Sequence, residues 1–144
     1  MIEQDTVKLL RECDAGINMG ISSIDEVIDY VDAPTFMRLL AESREEHDKL
    51  GREVQQQLER FREEGKQPNP VVKTMSQMMT DVKLVMRESD KTIADLMTDG
   101  CNMGVKSLNR YLNQYKAADE RSKDITKRLI NLEEKLSIQM RDYL

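Results

Sequence analysis

The chain lacks tryptophan, and its aromatic residues amount to only two Phe and four Tyr in 144 residues. Glycine and proline are also few, and the three prolines stand between segments of helical periodicity. Charged residues, by contrast, make up 34% of the chain. This composition is typical of an all-α bundle, in which Leu, Ile, Val and Met fill the core and Glu, Lys and Arg cover the surface. The length suits one domain with one core.

Three further absences exclude classes of protein. No apolar run is long enough to span a membrane. The acidic N-terminus has no apolar segment after it, unlike a signal peptide, so we expect a soluble cytoplasmic protein. The net charge of −5, with Lys and Arg interspersed among acids, argues against a nucleic-acid partner.

Catalytic and redox motifs are also absent. Neither a Gly-rich phosphate loop nor a nucleophile elbow is found. The two cysteines, Cys13 and Cys101, lie in separate helical patterns and form no Cys-x-x-Cys motif. We therefore expect both thiols to be small buried hydrophobes and the chain to be non-enzymatic, with no catalytic residue.

Apolar periodicity predicts four long helices in one domain, residues 1–144. Helix A begins near Asp5 or Thr6 as N-cap and ends near Val31, and helix B follows a short turn, with Pro34 at its first position. Helices C and D run from about Lys91 to Tyr115 and from about Asp119 to the end. The chain thus divides into hairpin A–B (5–65), a crossover helix (70–88) and hairpin C–D (90–144).

The crossover pattern places five apolar residues in helical register: Val72, Met75, Met79, Val82 and Met86. The Met-rich stripe is an adaptable partner surface or, as we prefer, core. A four-helix chain with one long connection between its second and third helices has the ferritin-like arrangement rather than the up-down-up-down one.

An internal repeat supports two related hairpins. The segment GINMGISS at 16–23 reappears as GCNMGVKS at 100–107, with five of eight positions identical and a constant offset of 84. Such a repeat predicts a pseudo-two-fold axis between the hairpins. Each copy holds two helical glycines, which cost stability and permit close approach. We predict direct contact of helices A and C through Gly16, Gly20, Gly100 and Gly104; the alternative is that the glycines leave room for a ligand or cofactor.

His47 is the only histidine, and it falls on the apolar stripe of helix B. It lies at the edge of that stripe, or is buried and hydrogen-bonded to Asp or Glu, or is a metal ligand inside the bundle. The repeat, the crossover and this inward histidine resemble the ferritin-like superfamily, including its small four-helix-bundle members in bacteria. The resemblance covers nearly the whole chain, but it is one of architecture.

The resemblance implies a site with two metal ions, built from a Glu on each of two helices and a Glu-x-x-His on each of the other two. The chain departs from this pattern, because Arg44 stands three residues before His47 and the second hairpin has no histidine. When Lys49-Leu50 is aligned with Lys135-Leu136, an offset of 86 residues, Glu133 stands opposite His47 in the alignment. The candidate metal ligands are therefore enough for one ion and not for a symmetric pair: Glu12, Asp14, His47, Asp99 and Glu133.

Three functions follow as expectations. The first is a ferritin-like interaction or structural protein, forming a homodimer and holding no cofactor. The second is a carboxylate–histidine protein that binds iron, manganese or zinc for storage or oxygen chemistry. The third is a protein that binds a hydrophobic ligand between helices A and C, at the glycines.

Overall fold

The computed structural model describes residues 2–63 and 89–144, and these form four long helices. Helix α1 spans Ile2–Val27 and continues into a 3₁₀ turn, Ile28–Tyr30; α2 spans Pro34–Glu63. Helix α3 spans Asp90–Gln114, and α4 spans Glu120–Gln139, followed by the 3₁₀ turn Met140–Tyr143. The helices match predicted helices A to D, which confirms a helical bundle. The predicted crossover helix, 70–88, lies outside the described residues.

No strand occurs in the described part of the chain. None of its helices combines the length and the apolar character that crossing a membrane requires.

Local capping chemistry explains where the helices begin. Pro34 opens α2, where a missing backbone N–H costs nothing and the fixed φ suits a helix. The Ser89 hydroxyl accepts a hydrogen bond from the Thr92 N–H, and the Asp119 carboxylate accepts one from the Ser122 N–H. Both residues are therefore N-caps that satisfy a free donor of the first turn.

The predicted start of the first helix was wrong. Helix α1 already begins at Ile2, so Asp5 and Thr6 lie inside it. Their side-chain oxygens instead accept hydrogen bonds from the N–H groups of Ala117 and Asp119, in the turn between α3 and α4. Both are residue types that cap helices, but here they bind backbone donors more than a hundred residues away.

Neighbouring helices in the bundle are antiparallel. Between α2 and α4, Glu46 pairs with Lys135 and Glu53 pairs with Arg128, so residue numbers rise along one helix as they fall along the other. Helices α1 and α3 are related in the same way, because Glu12 lies beside Tyr111 while the opposite end of α1 packs near the start of α3. Helix α1 also packs across the diagonal against α4.

The core divides into two clusters, one towards each end of the bundle. The first lies around the N-terminal half of α1 and includes Leu10, Phe61 and Leu129; the second lies around its C-terminal half and includes Ile24, Phe36 and Ile93. Helix α2 ends in the first cluster, and α3 begins in the second. The chain therefore leaves the first hairpin at one end of the bundle and enters the second hairpin at the other.

Asp90 ties the second hairpin to the first. Its two carboxylate oxygens accept hydrogen bonds of 2.8 and 2.9 Å from the backbone N–H groups of Asp32 and Ala33, in the turn between α1 and α2. We expect Asp90→Ala to lower the free energy of unfolding by about 1–2 kcal/mol, because both donors lose a charged acceptor. Urea denaturation measures the change.

Asp95→Ala is the matched control, since Asp95 is exposed on the same helix. A loss of stability as large for Asp95→Ala as for Asp90→Ala would contradict the role of this bridge.

Candidate functional site: a cleft between α1 and α3

A cleft of about 450 Å³ opens between α1 and α3. All four glycines of the repeat line it, together with apolar side chains from both helices. His47 of α2 and Glu133 of α4 lie at its base. Ligand pockets in proteins commonly have volumes of roughly 300–1,000 Å³, so the space is of the right size for a small molecule.

The glycines, predicted to bring the first and third helices into direct contact, have different surroundings at each position. A Cβ atom built on Gly16 would meet Leu129 of α4 at 3.7 Å, and one on Gly104 would meet the Glu133 carboxyl carbon at 3.8 Å, both ordinary contacts. A Cβ on Gly100 would meet nothing within 4 Å. Helices α1 and α3 still contact each other, and all four glycines line the cleft between them.

Gly20 is the one glycine of the repeat that close packing requires. A Cβ atom there would lie 2.8 Å from Nε2 and 2.9 Å from Cδ2 of the His47 imidazole. The ring is fully buried and bonded on both sides, so it has little freedom to move away. Gly20 therefore makes room for the imidazole edge against the α1 backbone.

His47 and Glu133 form a buried hydrogen-bonded pair. His47 Nδ1 donates to the Ser43 carbonyl oxygen at 2.7 Å, and Nε2 lies 3.1 Å from Glu133 Oε1. Since a carbonyl oxygen can only accept, Nδ1 carries a proton, and the Nε2–Oε1 contact holds a second one. This geometry matches the interpretation of His47 as buried beside an acid, and its partner is the residue that the offset of 86 placed opposite it.

The surroundings favour the charged imidazolium. Burial lowers the pKa of His47, but the hydrogen bond and charge of Glu133, the backbone bond to Ser43 and the charge of Glu46 outweigh it, so the pKa lies above its ordinary value. The base of the cleft therefore favours an imidazolium in contact with the Glu133 side chain.

Both cysteines are buried and free, as predicted. Burial raises the pKa of Cys13 to about 11, and its sulfur lies 3.1 Å from the Thr126 hydroxyl. Burial and the neighbouring Glu133 carboxylate raise the pKa of Cys101 as well. Both thiols stay protonated at neutral pH, and neither is an activated nucleophile.

The five candidate metal ligands do not converge. His47 and Glu133 are in contact, but Glu12 lies towards another end of the cleft beside Tyr111. Asp14 accepts a hydrogen bond from the Gln55 side chain, and Asp99 is exposed. Within the described ranges, no group of three or more His, Cys, Asp or Glu side chains is placed to hold an ion.

The position that Glu occupies in the di-metal motif holds Arg44, which points away from the bundle interior. Its guanidinium forms a two-pronged pair with the exposed carboxylate of Asp25 on α1. This arginine therefore neither blocks nor enters the base of the cleft.

Sequence reasoning missed the side chains that give the cleft its surface chemistry. Met19 and Met103 line it and occupy equivalent positions of the repeat, while Met97 and Tyr111 line it from α3. The repeat itself was a usable signal, because it places a methionine directly before the second glycine in both copies.

Gly20→Ala and Gly100→Ala should change stability in opposite directions. The first adds a Cβ against the buried imidazole and should destabilise the fold by about 1–3 kcal/mol. The second adds a Cβ in open space and should stabilise by about 0.5–1 kcal/mol through helix propensity. Urea denaturation of both variants tests the pair, and changes of the same sign would refute this assignment of the glycines.

Stability should decline with pH above the ordinary pKa of histidine. The folded chain holds the His47 proton more tightly than the unfolded chain, so the pair stabilises fully below about pH 6.5. This contribution is lost as pH rises through the raised folded pKa. Urea denaturation at several pH values should show this loss in the parent protein and not in His47→Gln.

An independent readout comes from nuclear magnetic resonance, because the chain has a single histidine. Titration of the imidazole protons should give a pKa above 6.5 in the folded protein. A value below 6.5 would mean that burial outweighs Glu133.

In comparisons with known proteins, no family model, no curated protein and no solved structure matches the chain.

Proposed function

We propose that this bundle binds a small, largely apolar molecule in the cleft between α1 and α3, without transforming it. The observation that carries the proposal is the cleft itself, about 450 Å³ in volume and lined by all four glycines of the repeat. This is the third of the functions expected from the sequence. Like the first expected function, an interaction or structural protein, it is non-enzymatic, but the molecule bound is small.

Gly100 supports a cleft that is kept open. A helical glycine costs about 1 kcal/mol relative to alanine, and nothing lies within 4 Å of the position where its Cβ would stand. Packing therefore gives no reason for glycine at this position. A side chain there would project into space that a ligand can use.

The lining suits an adaptable apolar site. Met19, Met97 and Met103 contribute flexible, polarizable thioethers, and Ile24 and Leu108 contribute rigid aliphatic surface. Met103 is 59% exposed although it lines the cleft, which is costly in water and favourable once an apolar molecule covers it.

The state of His47 and Cys101 favours binding over catalysis. Both ring nitrogens of His47 are occupied, one by the Ser43 carbonyl and the other by Glu133. Cys101 lines the cleft as a protonated thiol. His47 and Cys101 thus offer neither a free general base nor an activated nucleophile.

We also propose that the bundle is ferritin-like. Three observations support this: antiparallel neighbours, a chain that leaves α2 and enters α3 at opposite ends of the bundle, and a repeat with an offset of 84. A pseudo-two-fold axis relating the hairpins would pass close to the contact between His47 and Glu133, whose offset is 86. The homodimer stays a prediction, and so does the single-metal site, for which His47 and Glu133 supply two donors.

A substitution that fills the cleft tests the proposal. Gly100→Leu should leave the fold and melting temperature close to those of the parent, because its side chain extends into open space. It should weaken binding of a neutral apolar fluorophore, Nile red, by about tenfold or more by occupying the site. Fluorescence titration of the full-length protein measures both affinities.

Asn102→Leu is the matched control, since Asn102 is exposed on α3, two residues from Gly100, and does not line the cleft. It adds the same apolar side chain and should leave Nile red affinity unchanged. Equal affinity in the parent and Gly100→Leu, or no Nile red binding by the parent, would refute the proposed function.

A further inference from the structure

We infer that the ligand of this cleft is a hydrophobic cation, an apolar body bearing an amine, ammonium or phosphonium charge. The inference rests on the proposed function and adds the charge of the ligand. It is carried by the distribution of ionisable groups around the cleft.

The charges that line the cleft leave one anion uncompensated. Among the described lining residues there is no Lys or Arg, while Glu12 and Glu133 both contribute carboxylates. Glu133 is balanced by the imidazolium of His47. Glu12 has no ion-pair partner within residues 2–63 and 89–144, so the net charge at the cleft wall is negative.

Cations near Glu12 in the sequence do not neutralise this wall. Lys8 is exposed on the preceding turn of α1, Arg11 is only partly exposed, and neither lines the cleft. Arg110 stands beside Tyr111 but is itself exposed. Water screens the exposed charges of Lys8 and Arg110 more strongly than it screens a carboxylate at the edge of an apolar cleft.

The Glu12 end of the cleft also offers an aromatic surface. Tyr111 interacts with Glu12, and burial together with that carboxylate raises the pKa of the phenol, so it stays neutral. A cation beside these two groups is attracted by the quadrupole of the phenol ring and by the full negative charge of the carboxylate. An anionic ligand would meet repulsion from Glu12 without a cationic partner.

The rest of the cleft is suited to the apolar body. Met97, Ile24 and Val27 line it away from Glu12, towards the C-terminal end of α1. From Glu12 to Val27 the helix rises about 22 Å, so the charged and apolar ends are well separated. A molecule with charge and apolar surface at different ends satisfies both regions at once.

Two ions of the same shape and opposite charge test the inference. Tetraphenylphosphonium and tetraphenylborate each carry four phenyl rings around a central atom. Isothermal titration of the full-length protein should give affinity for the phosphonium about tenfold higher than for the borate. Gly100→Leu should lose phosphonium binding, which places the cation in the cleft.

The side chain responsible is identified by a charge-matched pair of variants. Glu12→Gln should lower phosphonium affinity about fivefold or more and leave borate affinity unchanged or higher. Asp14→Asn removes the same charge two residues away, where the side chain contacts Gln55 rather than the cleft. It should leave both affinities unchanged.

Each contrary outcome is informative. Equal affinity for the two ions, or phosphonium binding that Gly100→Leu does not weaken, overturns the inference. An equal loss in Asp14→Asn and Glu12→Gln shows a response to overall charge and also overturns it. In each of these cases the proposed function still stands if the parent protein binds Nile red and Gly100→Leu does not. If the parent binds neither Nile red nor the phosphonium, both the inference and the proposed function are refuted.

Discussion

The buried contact between His47 and Glu133 is the constraint on which the rest of the bundle depends. It joins α2 to α4 at the level where the apolar core divides into two clusters. Removing either partner would leave a buried polar group without its bond, which costs more than the bond itself contributes. Both donors of the imidazolium are satisfied only when Ser43 lies one turn before His47 and Glu133 lies opposite. The pair therefore fixes the register of α2 against α4 in a way that interchangeable Leu and Ile contacts do not.

The imidazole in turn determines how α1 sits on the bundle. Its edge lies where a Cβ atom at position 20 would stand, so only glycine allows this close contact. With α1 held against α2 and α4, the approach between α1 and α3 is the least extensive of the lateral helix contacts. A cleft remains there rather than a tight seam. The buried contact of His47 with Glu133 thus explains why position 20 must be glycine. It also explains why a cleft, lined by the other glycines of the repeat, remains between α1 and α3.

Local features of this fold were predictable from the sequence, and its long-range contacts mostly were not. Apolar period and stop signals located four helices, and Pro34 marked the start of one of them, because helix starts depend on neighbouring residues. Thr6 looked like a cap and instead bonds to Asp119, a partner 113 residues away. The glycine repeat singled out the surfaces of α1 and α3 that line the cleft, but periodicity does not determine how far apart two helices stand. The offset of 86 did find the partner of His47, although Tyr111 and the methionines of the cleft gave no comparable signal.

The division of charge between the base and the wall of the cleft has a functional consequence. At the base, cation and anion balance each other and are bonded to the protein, so this pair supports the structure without attracting an ion into the cleft. At the wall, Glu12 is partly exposed and faces a neutral phenol. A charged group that is balanced by an opposite charge offers little to a ligand, whereas one without a charged partner interacts with an ion that enters the cleft. Selectivity among apolar molecules in this cleft therefore depends on Glu12 and Tyr111, while the volume that admits them depends on the glycines and, through Gly20, on His47 and Glu133.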